Sequence, residues 1–245
     1  MKQLHNNKNI TNFYKKLDDV WPRDDKWHMH THDVIFGFVY EKVMGYQLTL
    51  NQLILNVGSG GSTYDLPYEM YHLDITDTQI KQFQHWVVGS LEKLPFEDNT
   101  FDVCICVGTV INYCNPKKAI KELSRVLKPN GKLILEFENS HSMEFLFSKG
   151  FGKHVGTVTS KYFGQKHTYQ VFSYKYIIYL LKKNHLEIKE EKRFHILSSF
   201  LYRLIPIENI AYKASYFDKV LEHTKLSKFC SNIMFELVKT ENGCI

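Results

Sequence analysis

Glycines 58, 60 and 61 leave an apolar run at 53–57 in the stretch LILNVGSGG, and an acid, Asp74, closes the next apolar run. A glycine turn leaving a strand lets the backbone take left-handed angles. It also lets a ligand approach main-chain N–H groups with no Cβ in the way. Asp74 lies 18 positions after Asn56, close to the ~20-residue spacing at which a carboxylate meets ribose hydroxyls. Gly58, Gly60 and Asp74 together predict a ligand containing adenosine. Thr63 stands where a dinucleotide site needs a third glycine. Only about ten residues, Pro67 among them, separate Gly61 from the second run, too few for a full helix dipole to face a pyrophosphate. The spacing suits a nucleoside better than a dinucleotide.

The elements that must hold these residues alternate. Short β-rich runs at 52–57, 70–75, 85–90, 101–108 and 132–138 are each bounded by polar or Gly/Pro signals. Between the last two, Ala119, Ile120, Leu123, Val126 and Leu127 fall on one helical face, closed by Pro129 and Gly131. Strands alternating with crossovers predict an α/β fold with a mainly parallel sheet covered on both faces. Downstream, 174–185 reads as a helix, 186–197 as a strand, 198–229 as helical elaboration and 232–239 as a final strand. One domain over 1–245 follows. It comprises an N-terminal helical cap at 1–50, a ligand-binding core at 51–138, a lid with C-terminal elaboration at 139–231, and the final strand.

Hydrophobic content of 44% with 23% charged residues excludes a disordered or collagen-like chain. The net charge of +5 comes from scattered lysines rather than a basic block, so no nucleic-acid partner is expected. The N-terminal stretch has no signal-peptide core and no run approaches ~20 apolar residues, which predicts a soluble, cytoplasmic protein without membrane insertion. Five cysteines, three of them (Cys104, Cys106, Cys114) around one apolar run without metal spacing, read as reduced, buried fillers.

The stretches GSLEKLPFEDNTFDVCICVG and NPKKAIKELSRVLKPNGKLIL resemble the class I S-adenosylmethionine-dependent methyltransferases, in particular those with an LPF-x-D-x-x-FD turn after the third strand. The resemblance is close over roughly 53–138. It implies a Rossmann-like seven-stranded, mostly parallel sheet whose last strand is antiparallel, and S-adenosylmethionine as cofactor. By that resemblance Gly58 and Gly60 would pass close to the methionine part, with backbone near Val107 and Gly108 completing the pocket. Asp74 would bind both ribose hydroxyls, Ile75 would lie against adenine, and Ser90 with the backbone of Leu91 would meet its edge. Three positions depart from the pattern: Asn56 replaces an acid before the glycines, Ser90 an Asp, and Asn112, followed by Tyr113, a His after the fourth strand. Asn56→Asp is expected to retain cofactor binding.

Methyl transfer from a sulfonium is an in-line displacement, so the protein mainly aligns the acceptor and excludes water. A base is needed only if the acceptor must lose a proton. The candidate catalytic residues are His141, just past the fifth strand where loops carry active groups, then His28 and Tyr113. His28, His30 and His32 form an H-x-H-x-H run. A helix would put only His28 and His32 on one face, and no carboxylate or cysteine spacing supports a metal. Glu136 and Glu138 end the fifth strand on one face and could orient an acceptor hydroxyl or amine. The expected reaction is O-methylation of a small-molecule acceptor, a sugar or natural-product intermediate. N-methylation, an inactive cofactor-binding partner protein, a nicotinamide-dependent dehydrogenase and, disfavoured by the lack of a basic stripe or target-base motif, a nucleic-acid methyltransferase are the rivals.

Overall fold

Apolar side chains on both faces of the central strands make each run nearly continuous, the pattern of a strand buried on two sides. The computed structural model describes residues 7–17, 19–205 and 208–241; residues 1–6 of the N-terminal cap and the fifth cysteine, Cys244, lie outside them. The runs form β1 (Ile54–Val57), β2 (Met70–Asp74), β3 (Trp86–Val88), β4 (Phe101–Cys106) and β5 (Leu127–Glu138). After a hairpin, β6 (Val155–Tyr162) and β7 (Gln165–Phe172), come β8 (Leu186–Phe194) and β9 (Asn232–Lys239). Seven strands make one sheet in the order β3-β2-β1-β4-β5-β9-β8. Neighbours from β3 to β5 are parallel, and β9 runs antiparallel to both β5 and β8. The predicted α/β class and the reversed last strand are both present.

Helices α1 (Asn7–Tyr14), α2 (Lys26–Gly45), α3 (Pro116–Val126), α4 (Tyr174–Lys183), α5 (Leu197–Leu204) and α6 (Glu208–Leu221) surround the sheet. Helix α3 starts where Asn115 accepts from the Lys117 amide and Pro116 needs no partner. Its Ala119, Ile120 and Leu123 pack with α4's Ile177 and Leu180 against Leu55, Cys104 and Leu133. The opposite face, Ile54, Val103, Ile105 and Ile134, is covered by Ile35, Phe38, Val39 and Val43 of α2. Burial of each such side chain contributes about 1.5–3 kcal/mol.

The segments joining β1 to β2 and β2 to β3 contain turns and no helix. The N-terminal α2 takes the layer that a crossover helix would occupy, so the predicted cap is also part of the core. The β6–β7 hairpin was not legible in the sequence. Its inward positions include Gly156, Ser160 and His167 as well as Val158, so no apolar alternation marks it. Asn112 Nδ2 donates to the Gln170 carbonyl (2.7 Å) and Asn112 Oδ1 accepts from the Glu138 amide, which ties the hairpin to the end of β5. Among the described residues no helix is long and apolar enough to cross a membrane.

Candidate active site

The strand order reverses between β1 and β4, and ligands of open α/β sheets bind beyond the carboxyl ends of the strands at such a point. Leaving β1, Gly58, Gly60 and Gly61 take φ of 65°, 51° and 82°, which only glycine adopts freely. The Gly58 and Ser59 amides donate to the Leu73 carbonyl at 2.7 and 3.1 Å, closing the turn on β2. A Cβ at Gly58 would stand 2.2 Å from Val110 Cγ2. Gly58→Ala is expected to cost about 2–4 kcal/mol from left-handed strain and overpacking, read as a lower midpoint in denaturant unfolding.

Asp74 Oδ2 accepts from the Gly60 amide (3.0 Å) and Oδ1 from the Thr76 amide (3.1 Å). Each oxygen keeps a lone pair for a ligand hydroxyl. Burial pushes the Asp74 carboxyl above its ordinary pKa against the pull of these N–H donors. Ile75, 37% exposed, presents an apolar surface at the cavity lip. Ser90 Oγ accepts from the Glu92 amide (3.2 Å), leaving its proton to donate, and Leu91 packs behind it. Beyond β4 the chain continues through Val107 to Gly108 (φ 75°), where a Cβ would meet nothing within 4 Å. The space in front of Gly108 is open for a ligand. Gly58, Gly60, Asp74, Ile75, Ser90, Leu91, Val107 and Gly108 line one cavity. A glycine cradle, open space at Gly108 and a carboxylate with free lone pairs fit an adenosyl ligand.

Asn56 is the exception among the expected cofactor positions. It is fully buried and does not line the cavity. Its Nδ2 donates to the Ser62 carbonyl (2.8 Å) and to Ser59 Oγ (3.3 Å), and Oδ1 accepts from the Tyr64 hydroxyl. The side chain braces the glycine turn. A carboxylate there would face the Ser62 carbonyl with no proton to donate. Asn56→Asp is therefore expected to destabilise the fold by about 1–3 kcal/mol, seen as a drop of several degrees in a thermal melt, while the variant that remains folded retains cofactor binding.

The other side of the cavity is built by the start of α2. Asp25 caps that helix, its Oδ1 accepting from the Trp27 and His28 amides at 2.9 and 3.0 Å. Its Oδ2 accepts from His28 Nδ1 at 2.5 Å and from the Tyr202 hydroxyl at 3.2 Å. Although burial opposes ionisation, the hydrogen bond from His28 holds the Asp25 carboxyl below its ordinary pKa. A carboxylate at Nδ1 requires a proton there and leaves Nε2 with its lone pair. His28 lines the cavity. The helix sends the other two histidines elsewhere: His32 stacks on Phe36 at 3.8 Å, and His30 lies edge-on to His195.

The structure does not bring His141 to the cavity. It lies in the loop after β5 against Gly152, with Nδ1 3.4 Å from Ser140 Oγ. Tyr113 does line the cavity, but burial raises its phenol well above the ordinary pKa, which disfavours a role as base. Glu136 and Glu138 also part company. Glu136 is buried, accepting from the Thr109 amide (2.5 Å) and Asn232 Nδ2 (2.7 Å), and braces the turn at Gly108. Glu138 reaches the cavity, joined by Glu144, which the sequence reading passed over. Trp27, Tyr162, Tyr169 and Tyr202 add aromatic walls. The aromatic content of 1–50 and 139–185 was visible in the sequence, but not which rings would converge.

A methyltransferase domain family matches residues 55–135. The chain is 31% identical to an uncharacterized protein of Methanocaldococcus jannaschii over 56% of its own length and 64% of that protein, a little under two thirds. It is 26% identical to a demethylmenaquinone methyltransferase of Thermotoga maritima over 71% and 78% of the two chains. Among solved structures, the 1,6-didemethyltoxoflavin-N1-methyltransferase of Burkholderia thailandensis, holding its substrate and S-adenosylhomocysteine, superposes with a TM-score of 0.58 at 12% identity over 96% of this chain and 87% of that one. Residues 55–135, which hold the glycine turn and Asp74, are thus similar to that methyltransferase domain family, and the sheet of this order with its last strand reversed has the fold of that solved methyltransferase.

Proposed function

We propose that this protein transfers a methyl group from S-adenosylmethionine to a hydroxyl of a small-molecule acceptor, with His28 as general base. One observation carries the reading: the cavity that contains Gly58, Asp74 and Gly108 also contains His28, whose free nitrogen is set by Asp25.

The cofactor, when bound, supplies a methyl group on a positively charged sulfur that leaves readily. The chain's own residues do the rest. Asp74 holds the ribose hydroxyls, Ile75 covers the adenine, and Ser90 with the backbone of Leu91 meets its edge. The glycine turn and Gly108 admit the methionine part. On the far side, His28 Nε2 accepts the acceptor's proton as the C–O bond forms, and Asp25 stabilises the imidazolium that results. The aromatic rings of α2, β6 and α5 keep water from the reacting atoms.

The test is transfer of labelled methyl from S-adenosylmethionine to small-molecule alcohols, phenols and amines, alongside calorimetry with S-adenosylhomocysteine. Methylated alcohol or phenol supports the proposal. Tight S-adenosylhomocysteine binding with no turnover of any acceptor would make the chain a cofactor-binding partner protein. Binding of NAD in preference to S-adenosylmethionine would overturn the cofactor assignment.

A further inference from the structure

The acceptor side of the cavity holds polar atoms that the protein leaves unpaired. Among the described residues, Trp27 Nε1, His167 Nε2 and Glu138 Oε2 are shielded from solvent and lack a hydrogen-bond partner, the Tyr169 hydroxyl being the donor that bears on the Glu138 carboxyl, and all three residues line this cavity. Trp27 and His167 are more than nine-tenths buried. A buried polar atom without a partner costs about 1–3 kcal/mol, more for a charged group, so a cluster of them in one cavity marks a place where a ligand supplies the partners.

Besides Asp74 and Glu92, two acids line the cavity, Glu138 and Glu144. Glu144 Oε2 accepts from Ser231 Oγ at 2.9 Å, and its charge acts on Glu138. Among the described residues neither carboxyl forms an ion pair with a lysine or arginine. Aromatic rings crowd the same space: Trp27 stacks on Tyr202 at 4.3 Å, and Tyr113 and Tyr169 lie 5.7 Å apart. Buried carboxylates are stable only when paired, and aromatic faces attract a cation that sits against them. Both features ask for positive charge.

We propose that the methyl acceptor carries a protonated basic nitrogen, which is bound by Glu138 and Glu144 inside this aromatic enclosure. The inference rests on the reading above that the cavity holds the acceptor, and it names that acceptor's class: an amino-bearing alcohol or phenol whose hydroxyl faces His28. The groups around the two acids are His28 from α2, Tyr113 from the turn after β4, Tyr169 from β7 and Arg203 from α5. Burial raises both carboxyls above their ordinary pKa. An arriving cation favours the ionised forms, so a proton leaves the pair for the solvent as the ligand binds.

The experiment is calorimetry on the full chain loaded with S-adenosylhomocysteine, titrated with benzylamine and with its neutral counterpart benzyl alcohol, in two buffers of different ionisation enthalpy. Benzylamine is expected to bind at least about tenfold more tightly, with proton release. Glu138→Gln and Glu144→Gln are each expected to remove most of that preference and the proton release, while S-adenosylhomocysteine affinity stays within about twofold. Ligand-free Glu138→Gln is expected to gain in melting temperature relative to the wild type as pH rises through the raised carboxyl pKa. A folded-state carboxyl pKa above the unfolded value means that the native state holds the proton longer, so wild-type stability falls as pH rises through that window. Equal affinity for the alcohol, or a preference that survives both substitutions, overturns the proposal. A fall in S-adenosylhomocysteine affinity in Glu138→Gln overturns it differently, by assigning the acids to the cofactor. Failure of the wild type to bind S-adenosylhomocysteine would instead strike the underlying methyltransferase reading, which this design registers separately.

Discussion

His28→Ala is expected to lower kcat for a hydroxyl acceptor by about 10²–10⁴-fold, the range for a positioned general base, with S-adenosylhomocysteine affinity nearly unchanged. The expectation comes from the local geometry. Asp25 spends one oxygen on the start of α2 and the other on His28 Nδ1, so the imidazole is held in one tautomer with its basic nitrogen free. Asp25→Asn separates the two duties. An asparagine still caps a helix about as well as aspartate, so the start of α2 should survive, but its Nδ2 can no longer accept from His28 Nδ1 or the Tyr202 hydroxyl. It supplies no charge to stabilise the imidazolium, so kcat should fall. His141→Ala is the control: it lies outside the cavity and should leave kcat within about twofold. If His141→Ala stops turnover and His28→Ala does not, the base has been placed on the wrong wall.

Asp74→Ala is expected to weaken S-adenosylhomocysteine by about ten- to a hundredfold, ~1.4–2.8 kcal/mol, since hydrogen bonds to a charged acceptor are each worth about 1.5–3 kcal/mol. Alanine also leaves the Gly60 and Thr76 amides without their acceptor, so part of the loss would come from a loosened turn. Asp74→Asn reports on that part, because one amide oxygen still accepts. A thermal melt of each variant checks that the fold survives. The pH dependence follows with a definite sign. The ribose hydroxyls bind the ionised carboxylate, whose pKa burial has raised. Affinity should therefore fall on acidification through that raised value. Unchanged affinity in Asp74→Ala would show that the ribose binds elsewhere.

The correction at Asn56 shows what a motif leaves open. Its place before the glycines suggested a side chain facing the cofactor, by analogy with the acid that commonly stands there. The fold turns it the other way, onto the Ser62 carbonyl and the Tyr64 hydroxyl. The cramped link after the turn is the reason: with no helix between β1 and β2, residues 59–64 fold back over the end of β1. The three-histidine run was similarly ambiguous, since its meaning depended on whether 26–45 formed a helix or a strand. As α2 it places His28 at the cavity and His30 against His195.

Local signals were enough to determine much of this molecule. Strand-length apolar runs, the capped face of α3, the left-handed glycines and an acid one strand later are all encoded within about twenty residues, because backbone sterics and side-chain periodicity act over that range. They established the sheet, the cofactor turn and Asp74. Tertiary packing decided the rest. It moved α2 into the layer left bare by the missing crossover helix and set Asp25 against Tyr202, 177 positions away. It also brought Glu138 and Glu144 into the cavity while turning Glu136 and His141 away from it. Side chains of one type carry no local mark of which neighbour they will meet. That is fixed only when the two faces of the sheet are covered and the chain beyond β5 closes over its carboxyl edge.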